Sequence, residues 1–394
     1  MTDLALANHR QFLLTAGGPT YRLEMRVGLI RANAQRTMRK ALLSIVATWV
    51  PLLILSALQH NATGNLVPVP FLRDFAVHAR FLVAVPLLLL AERLLGPRLA
   101  HCANHFVESG LVLQSDYPKF NNAIEKGLHW RDSTGAEVVL IVLAYLLTIV
   151  SLLSTAVHVS TWYAVRTGAG TSLTCAGWWF VVFCVPLFQF LTLRWLWRLF
   201  LWGQFLWRMN RLDLQLIPTH PDEAGGLAFV GESQRFFGII LLAYSVAVSG
   251  VLANGVIYDR IALPHFAPSI AAYVALAVFI VLLPLFVFSG RLITTKRVGL
   301  HQYGTLATEY TSSFHKKWIS SPRPTEDVLL GTGDIQSLVD LGNSFAFIEK
   351  MNPAPMGPRT PIHLALACLI PMAPLLLTMM PLDSLLRMLL KVVI

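Results

Sequence analysis

The stretch from Phe236 to Tyr258 reads FFGIILLAYSVAVSGVLANGVIY and contains no Asp, Glu, Lys or Arg. A continuous apolar stretch of about 20 residues is long enough to cross the hydrocarbon core of a membrane as a helix. Charged residues make up only 13% of the 394 residues, which is about half of the share usual in soluble proteins. Because so few charges cannot cover a water-exposed surface, the composition excludes a soluble protein.

Six stretches meet the length requirement for a membrane span, and a seventh does so although Pro371 and Pro374 interrupt it. The second stretch is short and needs Arg80, Gly96 and Pro97 to reach both interfaces. The sequence therefore predicts an all-α polytopic transmembrane helical bundle with six spans plus a seventh, Pro-interrupted one. The spans are Ala41–Leu58, Phe81–Leu95, Val138–Val157, Ala176–Leu201, Phe236–Tyr258, Ile270–Ser289 and Pro361–Met380.

Lys and Arg collect on alternate connections between the spans. The N-terminal tail and the connections on its side hold 22 of these residues, whereas the other side holds only Arg73, Arg80, Arg166 and Arg260. Cytoplasmic ends of membrane spans carry an excess of Lys and Arg. We therefore expect a cytoplasmic N-terminus. The net charge of +10 is accounted for by this asymmetry rather than by nucleic-acid binding.

This orientation divides the chain into a basic tail, a six-span bundle, a cytoplasmic segment and a C-terminal helix that either spans the membrane or re-enters it. Helical spacing in the cytoplasmic segment predicts helices over Tyr303–Trp318 and Asp334–Lys350. The bounds of the four parts are 1–40, 41–290, 291–361 and 362–394, and the bundle carries a cytoplasmic helical extension at 97–137 and a turn at 207–235.

Residues 22–40 of the tail show the apolar spacing of an amphipathic helix, for example at Leu23, Ile30 and Met38. One interpretation places this helix on the inner leaflet, where anionic lipid attracts its basic face. The alternative packs it on another subunit or on the cytoplasmic ends of the bundle. We favour the lipid surface as the contact of Arg22, Arg26, Arg31, Arg36, Arg39 and Lys40.

The fourth span continues beyond the membrane. From Ala176 to Arg211 it has 36 residues, which as one helix measure about 54 Å, against a hydrocarbon core of about 30 Å. Arg194 and Arg198 lie one turn apart near the inner boundary, at the depth that Glu92 reaches from the second span. Because a carboxylate at this depth is costly without a cation, we expect Glu92 to pair with Arg194 or Arg198.

The fifth span is rich in small residues. Small residues four apart let the backbones of two helices approach closely. We expect a helix-packing face rather than a pore lining, formed by Ala243, Ala247, Ser249, Gly250 and Ala253.

A polar stripe follows the second span. His101 and His105 are four residues apart, a spacing that directs two imidazoles toward one metal from a helix, and Glu108 follows one turn later. These residues are candidate metal ligands. The alternative is a solvated helix face, because apolar residues alternate with the stripe.

A second polar string, Thr219-His220-Pro221-Asp222-Glu223, follows the fourth span and ends in Gly225-Gly226. His220, Asp222 and Glu223 are candidate metal ligands or acid–base groups that would share a site with the histidine stripe. The alternative, which we favour, is a capped turn. In that turn Thr219 and Asp222 form the cap, and Pro221 lies in the first helical turn.

The string Arg194-Trp-Leu-Trp-Arg198, continued through Arg211 to His220-Pro-Asp-Glu-Ala-Gly-Gly-Leu227, resembles a group of uncharacterised bacterial multi-pass inner-membrane proteins. The C-terminal stretch from Pro374 to Arg387 is similar to the ends of those proteins, and the two stretches cover roughly a seventh of the chain. The resemblance implies a bacterial inner (plasma) membrane location. It supplies no activity, so no functional residue is carried over.

No Asp, Glu, Lys or Arg lies at the centre of any predicted span. Ion-coupled carriers usually keep such a residue, so the sequence disfavours a coupled pump. Three classes remain, in this order: an oligomeric channel or passive permeation unit with a basic cytoplasmic mouth, a membrane scaffold or sensor with a cytoplasmic protein partner, and an enzyme with a cytoplasmic metal site.

The chain contains no phosphate-binding loop, catalytic serine elbow or CxxC motif, which favours a role other than catalysis. No cofactor is firmly implied. The expected partners are anionic inner-leaflet lipid and further copies of the same chain, with a cytoplasmic protein as a third. We expect no nucleic acid among the partners.

Overall fold

The computed structural model describes residues 12–26, 34–64, 66–154, 161–167, 170–320 and 333–379. Within these residues, seven helices are long and apolar enough to cross a membrane. They coincide with the seven predicted stretches, so the protein is an all-α multi-pass membrane bundle.

Most observed helices extend beyond the apolar stretches that predicted them, because polar residues continue the helices on either side. In chain order the elements are α1 Pro19–Arg26, α2 Ala34–Leu58, α3 Phe75–Glu108, α4 Tyr117–Arg131, α5 Thr134–Ser154, β1 Ala164–Thr167, β2 Gly170–Leu173, α6 Cys175–Asn210, α7 Ala228–Ile257, α8 Leu263–Ser320, α9 Gly333–Lys350 and α10 Arg359–Thr378. The strands form one antiparallel hairpin between α5 and α6. The architecture is therefore built from long helices, with one short strand hairpin among the described residues.

The connections between the spans form two groups at opposite ends of the bundle. On the side of α1, which we call the N-terminal face, the Gln215 N–H donates to the Leu111 carbonyl at 2.9 Å. On the opposite face, the Trp162 N–H donates to the Val69 carbonyl at 3.1 Å. Consecutive connections alternate between the two groups, as seven crossings require.

Helix α10 reaches the opposite face. Its residues Met372 and Leu375 pack with Ala253 of α7 and Leu263 at the start of α8. The chain leading into α10 lies at the N-terminal face, where the Pro355 carbonyl contacts Gly231. Helix α10 therefore extends from one face to the other, and residues 380–394 lie outside the described part of the chain.

Helix α7 lies at the centre of the bundle and uses its small residues for packing. Ala243, Ala247 and Ala253 are buried and Ser249 is half-buried. At Gly250 an added Cβ would lie 2.7 Å from the carbonyl oxygen of Phe75. The backbones of α7 and α3 therefore approach more closely than any larger residue allows.

Prolines change the helical hydrogen bonding inside the spans. Single π turns precede Pro86 and Pro186, where the N–H of the residue before each proline donates five residues back. Helix α8 becomes a 3₁₀ helix around Pro284, and α10 does so around Pro371. These shifts accommodate a residue that lacks an N–H and collides with the carbonyl four residues earlier.

Neighbouring helices satisfy two of the carbonyls that the prolines free. Four residues before the proline of α2, the Ala47 carbonyl accepts a hydrogen bond from Trp179 Nε1 at 3.3 Å. Four residues before the π-turn proline of α6, the Val182 carbonyl accepts one from the Tyr145 hydroxyl at 3.2 Å. Because lipid offers no donors, such side chains from adjacent spans replace the lost helical bonds.

The segment after the sixth span forms a helical hairpin of α8 and α9. Both predicted helices are present, but the first is not separate from the membrane, since α8 continues without a break from Leu263 to Ser320. The hairpin is closed by Asp334, whose carboxylate accepts hydrogen bonds from Trp318 Nε1 at 2.9 Å and Lys317 Nζ at 3.0 Å.

Candidate functional site

The N-terminal segment, residues 12–26, packs into the N-terminal face of the bundle. Phe12 is fully buried, and its ring stacks on Phe205 of α6 with centroids 4.5 Å apart. The same ring lies so close to Gly127 of α4 that an added Cβ would be 2.7 Å from it. The segment therefore fits between the ends of α4 and α6.

Polar contacts fix the backbone of this segment. Arg131 Nη1 donates to the Leu13 carbonyl at 2.6 Å, and the Gly18 N–H donates to Asp132 Oδ1 at 2.7 Å. Burial opposes ionisation of Asp132, but the hydrogen bond and charge of Arg131 outweigh it and lower its pKa below the ordinary value. The Asp132 carboxylate is thus held ionised as an acceptor for the segment.

The contacts of Glu24 and Lys40 bring part of the predicted amphipathic helix at 22–40 against the bundle, which is the alternative considered for the tail. The lipid-surface prediction therefore applies to fewer residues than expected, and it is wrong for Lys40, whose ammonium group lies 3.1 Å from Glu92 of α3. Arg22, Arg26 and Arg39 are exposed, whereas Arg31 and the side chain of Arg36 lie outside the described residues.

A buried charge cluster lies beside the segment. Glu92 Oε1 is 2.9 Å from Arg198 Nη2 and 3.5 Å from Arg194 Nη1, and Glu92 Oε2 is 3.1 Å from Lys40 Nζ. Lys40 also contacts Glu24 of α1 at 2.8 Å. Arg194 and Arg198 are 6% and 4% exposed, so these charges interact where solvent screens them little.

The structure brings together Glu92, Arg194 and Arg198 as expected from their common depth. Sequence reasoning missed Lys40 and Glu24. The position of Lys40 one residue before the first apolar stretch places it at the same depth, a signal that could have found it. Glu24 gave no such signal, because only the fold of the tail brings it to α2.

The six candidate metal ligands do not form a metal site. Within the described residues, no group of three His, Cys, Asp or Glu side chains is placed to hold a metal ion. His105 packs its ring edge on Phe229 and lies 3.7 Å from Glu108, while His101 remains exposed. The stripe of His101, His105 and Glu108 therefore corresponds to the alternative interpretation, a solvated helix face.

Asp222 organises the second string as a turn. Its carboxylate accepts hydrogen bonds from the N–H groups of Ala224, Gly226 and Ala228 at 2.9, 3.1 and 2.9 Å. The predicted role of Thr219 and Pro221 at a helix start is wrong, because the helix begins only at Ala228. The single carboxylate reaches across the turn because Gly225 and Gly226 adopt positive φ angles.

The other candidate ligands of the string serve the same turn. His220 Nδ1 lies 2.8 Å from Asp222 Oδ1. The carbonyl of Glu223 accepts a hydrogen bond from the Asn352 N–H at 2.8 Å. The turn therefore docks on the chain between α9 and α10, and the Asp222 carboxylate and the Glu223 backbone carbonyl both serve its structure.

A second polar cluster, on the opposite face, was missed from the sequence. Asp74 is buried, caps the start of α3, and accepts hydrogen bonds from Trp162 Nε1 and Asn254 Nδ2, each at 2.8 Å. An Asp directly before an apolar stretch is a helix-start signal that could have found the cap. The partners Trp162 and Asn254 come from distant connections, so local pattern does not predict them.

The fold defines the class of this protein as a multi-pass α-helical membrane protein. Comparison with known proteins adds no family, since no family model matches the chain and no curated protein or solved structure matches it. Its function must therefore be inferred from its own geometry.

Proposed function

We propose that the chain is a membrane scaffold or sensor that transmits a state of its bundle to a cytoplasmic protein partner. The observation that carries this proposal is the length of α8, which continues through 58 residues. At 1.5 Å per residue it measures about 87 Å, roughly three times the hydrocarbon core. The helical chain thus begins as a membrane span, passes through the 3₁₀ turn around Pro284 and ends in the projecting hairpin, so the span is directly continuous with the hairpin.

The base of the hairpin is braced against the bundle. Lys296 Nζ of α8 donates to the Met351 carbonyl at 3.0 Å, and Gly299 of α8 contacts Pro218 so closely that an added Cβ would be 2.7 Å away. These contacts join the hairpin to the turn organised by Asp222. A displacement of the spans would therefore reach the hairpin through packed backbone.

The hairpin carries an apolar stripe on its outer surface. Ile335, Val339 and Phe347 of α9 are 42%, 51% and 38% exposed. Ile335 and Val339 lie one turn apart, and Phe347 lies two turns beyond Val339 with the exposed Asn343 between them. Apolar side chains grouped on an exposed helix face are typical of protein contacts. We assign this α9 stripe as the surface that binds the partner.

The channel interpretation finds less support. A groove of about 220 Å³ between α6, α7 and α8 and another of about 630 Å³ between α8 and α10 are lined almost entirely by apolar side chains. Such a lining cannot replace the hydration of an ion. These two grooves therefore offer no path for an ion.

The cytoplasmic position of the hairpin and the bacterial inner membrane are part of this proposal. They are supported by the excess of Lys and Arg on the N-terminal face and by the resemblance of the Arg194–Leu227 segment. The enzyme interpretation loses its candidate site, because His101, His105 and the Asp222 turn do not assemble.

Site-specific photo-crosslinking in native membranes tests the proposal. A photoreactive residue at Val339 should give a discrete adduct with another protein. The matched control is Ser337, which is also exposed but lies on nearly the opposite side of α9. It should give none.

Absence of an adduct at Val339, or equal adducts at both positions, would refute a partner surface on the α9 stripe. An adduct that contains only this chain would replace the partner with a homo-oligomer. Purified protein in liposomes should leave ion permeability unchanged, and a specific ion flux would favour the channel instead.

A further inference from the structure

A groove of about 430 Å³ lies on the N-terminal face where the end of α6 meets α8. Its lining from α8 includes Val287, Arg291 and Thr295, which follow one another at intervals of one turn and so share one side of the helix. The chain after α6 contributes Leu214 and Leu216 to the lining. The groove therefore combines a cation and a hydroxyl with apolar side chains.

The depth of Arg291 matches the headgroup region of a bilayer. Helix α8 begins at Leu263 on the opposite face, and the distance from Leu263 to Arg291 is about 42 Å at 1.5 Å per residue. A bilayer with its headgroups is about 40–45 Å thick. One to two turns before Arg291, on the membrane side, Leu283 and Phe286 are 52% and 44% exposed. The groove therefore lies at the depth where the polar and hydrocarbon parts of a lipid meet.

Two hydrogen-bond donors on the lining are free. Within the part of the chain that the structure describes, neither the Arg291 guanidinium nor the Thr295 hydroxyl has a hydrogen-bond or ion-pair partner, and the polar atoms of both are accessible at the groove. Thr294 differs, because its hydroxyl donates to the Gly290 carbonyl at 2.9 Å. An accessible guanidinium and hydroxyl one turn apart can bind two oxygens of one phosphate group.

The charge of the lining favours an anion. Arg291 is the cation on the described lining, and none of the described lining residues is acidic. Asp213, next to Leu214 in the chain, is exposed and does not line the groove. A ligand with one negative charge would therefore neutralise the site, whereas the cation of a zwitterionic headgroup would meet no carboxylate on this lining.

We propose that this groove binds the headgroup of a phospholipid with one net negative charge, in the leaflet at the N-terminal face. The phosphate accepts from Arg291 and Thr295, and the acyl chains extend along Leu283 and Phe286. Because Lys296 donates to the Met351 carbonyl, the bound lipid lies at the base of the hairpin. The site is separate from the arginines of the tail and depends on no protein partner.

The test measures lipid binding to the purified full chain by native mass spectrometry. Phosphatidylglycerol should bind more tightly than phosphatidylcholine with the same acyl chains. Arg291→Gln should weaken phosphatidylglycerol binding about tenfold or more, the usual loss for one charge-assisted hydrogen bond, and bring it close to that of phosphatidylcholine. Thr295→Glu places a carboxylate one turn from Arg291 and should remove the preference, because it supplies an internal counter-ion.

Arg297→Gln is the matched control, since Arg297 is an exposed arginine of the same helix outside the groove. It should keep the lipid preference of the parent. Equal affinity of the parent for both lipids would overturn the proposal, and so would an Arg291→Gln variant with the preference of the parent. If Arg291→Gln does not fold, Thr295→Glu decides the question.

Glycerol phosphate separates a lipid from a soluble anion, because it carries the phosphate without acyl chains. At the concentration of the lipid it should not displace phosphatidylglycerol from the parent protein. Full displacement would assign the groove to a soluble anion and overturn the lipid proposal.

Discussion

Glu92 is the acceptor on which three cations converge, and its removal should reveal the energy of the buried cluster. Without it, Lys40, Arg194 and Arg198 repel one another away from bulk water. Breaking a buried ion pair costs about 3–5 kcal/mol. We therefore expect Glu92→Gln to lower the free energy of unfolding in detergent by about that amount, and Glu92→Lys to lower it further because it adds a fourth positive charge.

The matched control for this prediction is Glu108→Gln. Glu108 is the last residue of the polar stripe after the second span. Its side chain is 36% exposed, and His105 lies 3.7 Å from its carboxylate. Its replacement should change the free energy of unfolding by less than about 0.5 kcal/mol. A Glu92→Lys variant as stable as the parent would contradict the role of Glu92.

Asp334 should make the docking of α9 on α8 depend on pH. Hydrogen bonds from Lys317 and Trp318 lower the pKa of Asp334 below its ordinary value. A lowered pKa in the folded state means that the ionised carboxylate stabilises the hairpin at all pH values above the unfolded pKa of about 3.9. The stabilisation is lost as the pH falls below that value and through the lowered pKa.

Spin labels at the exposed residues Ser312 and Ser337 measure this docking as a distance between α8 and α9. The distance distribution of the parent should broaden below about pH 4. Asp334→Asn should broaden it already at neutral pH and remove this step. Asp340→Asn is the control, since Asp340 accepts from Gln336 of its own helix, and it should retain the step.

At the scale of the element, the contact of α7 with α3 depends on a single glycine. Gly250→Ala places a Cβ 2.7 Å from the Phe75 carbonyl and 2.9 Å from Ala76 Cα, so backbone must move. Overpacking of this kind costs about 1–3 kcal/mol, which chemical unfolding in detergent will measure. Gly290→Ala in α8, where an added Cβ meets nothing within 4 Å, should be neutral or stabilising.

A loss of stability in Gly290→Ala equal to that in Gly250→Ala would show that helix geometry, rather than the α7–α3 contact, determines the effect.

The prolines of the spans also depend on contacts between helices. They are tolerated because π turns, 3₁₀ turns and side-chain donors from neighbouring helices absorb the missing hydrogen bonds. Each proline-containing helix therefore depends on local turns and on neighbouring helices for part of its backbone hydrogen bonding.

At the scale of the molecule, the two faces should be accessible from different sides of the membrane. Single cysteines at Asn61 and Ala262 should react with a membrane-impermeant maleimide only from outside the cell, and those at Lys126 and Asp334 only from inside. Cys175 is the exposed native cysteine of the four and is replaced by Ser in the parent. Labelling at Lys126 from outside would invert the proposed orientation.

The sequence by itself determined the membrane class, the number of spans and the length of α6. These properties follow from the length of apolar stretches, which the thickness of the bilayer constrains directly. It also predicted that Glu92 and the two arginines of α6 meet, because a carboxylate at that depth needs a cation. Depth in a membrane is a position along the bilayer normal, so the number of residues along a spanning helix is sufficient to predict it.

The tertiary structure alone decided which polar residues outside the apolar stretches are solvated and which are buried. The position of Lys40 beside the first apolar stretch predicts its depth, but only the fold shows that it is bound to Glu24 and Glu92 while Arg39 beside it is exposed. The carboxylate of Asp222 has the local pattern of a metal ligand or of a helix cap, and only the observed backbone of its turn shows that it accepts from three N–H groups of that turn. Lys40 loses water through contacts with residues distant in the chain, and a local sequence pattern does not encode those contacts.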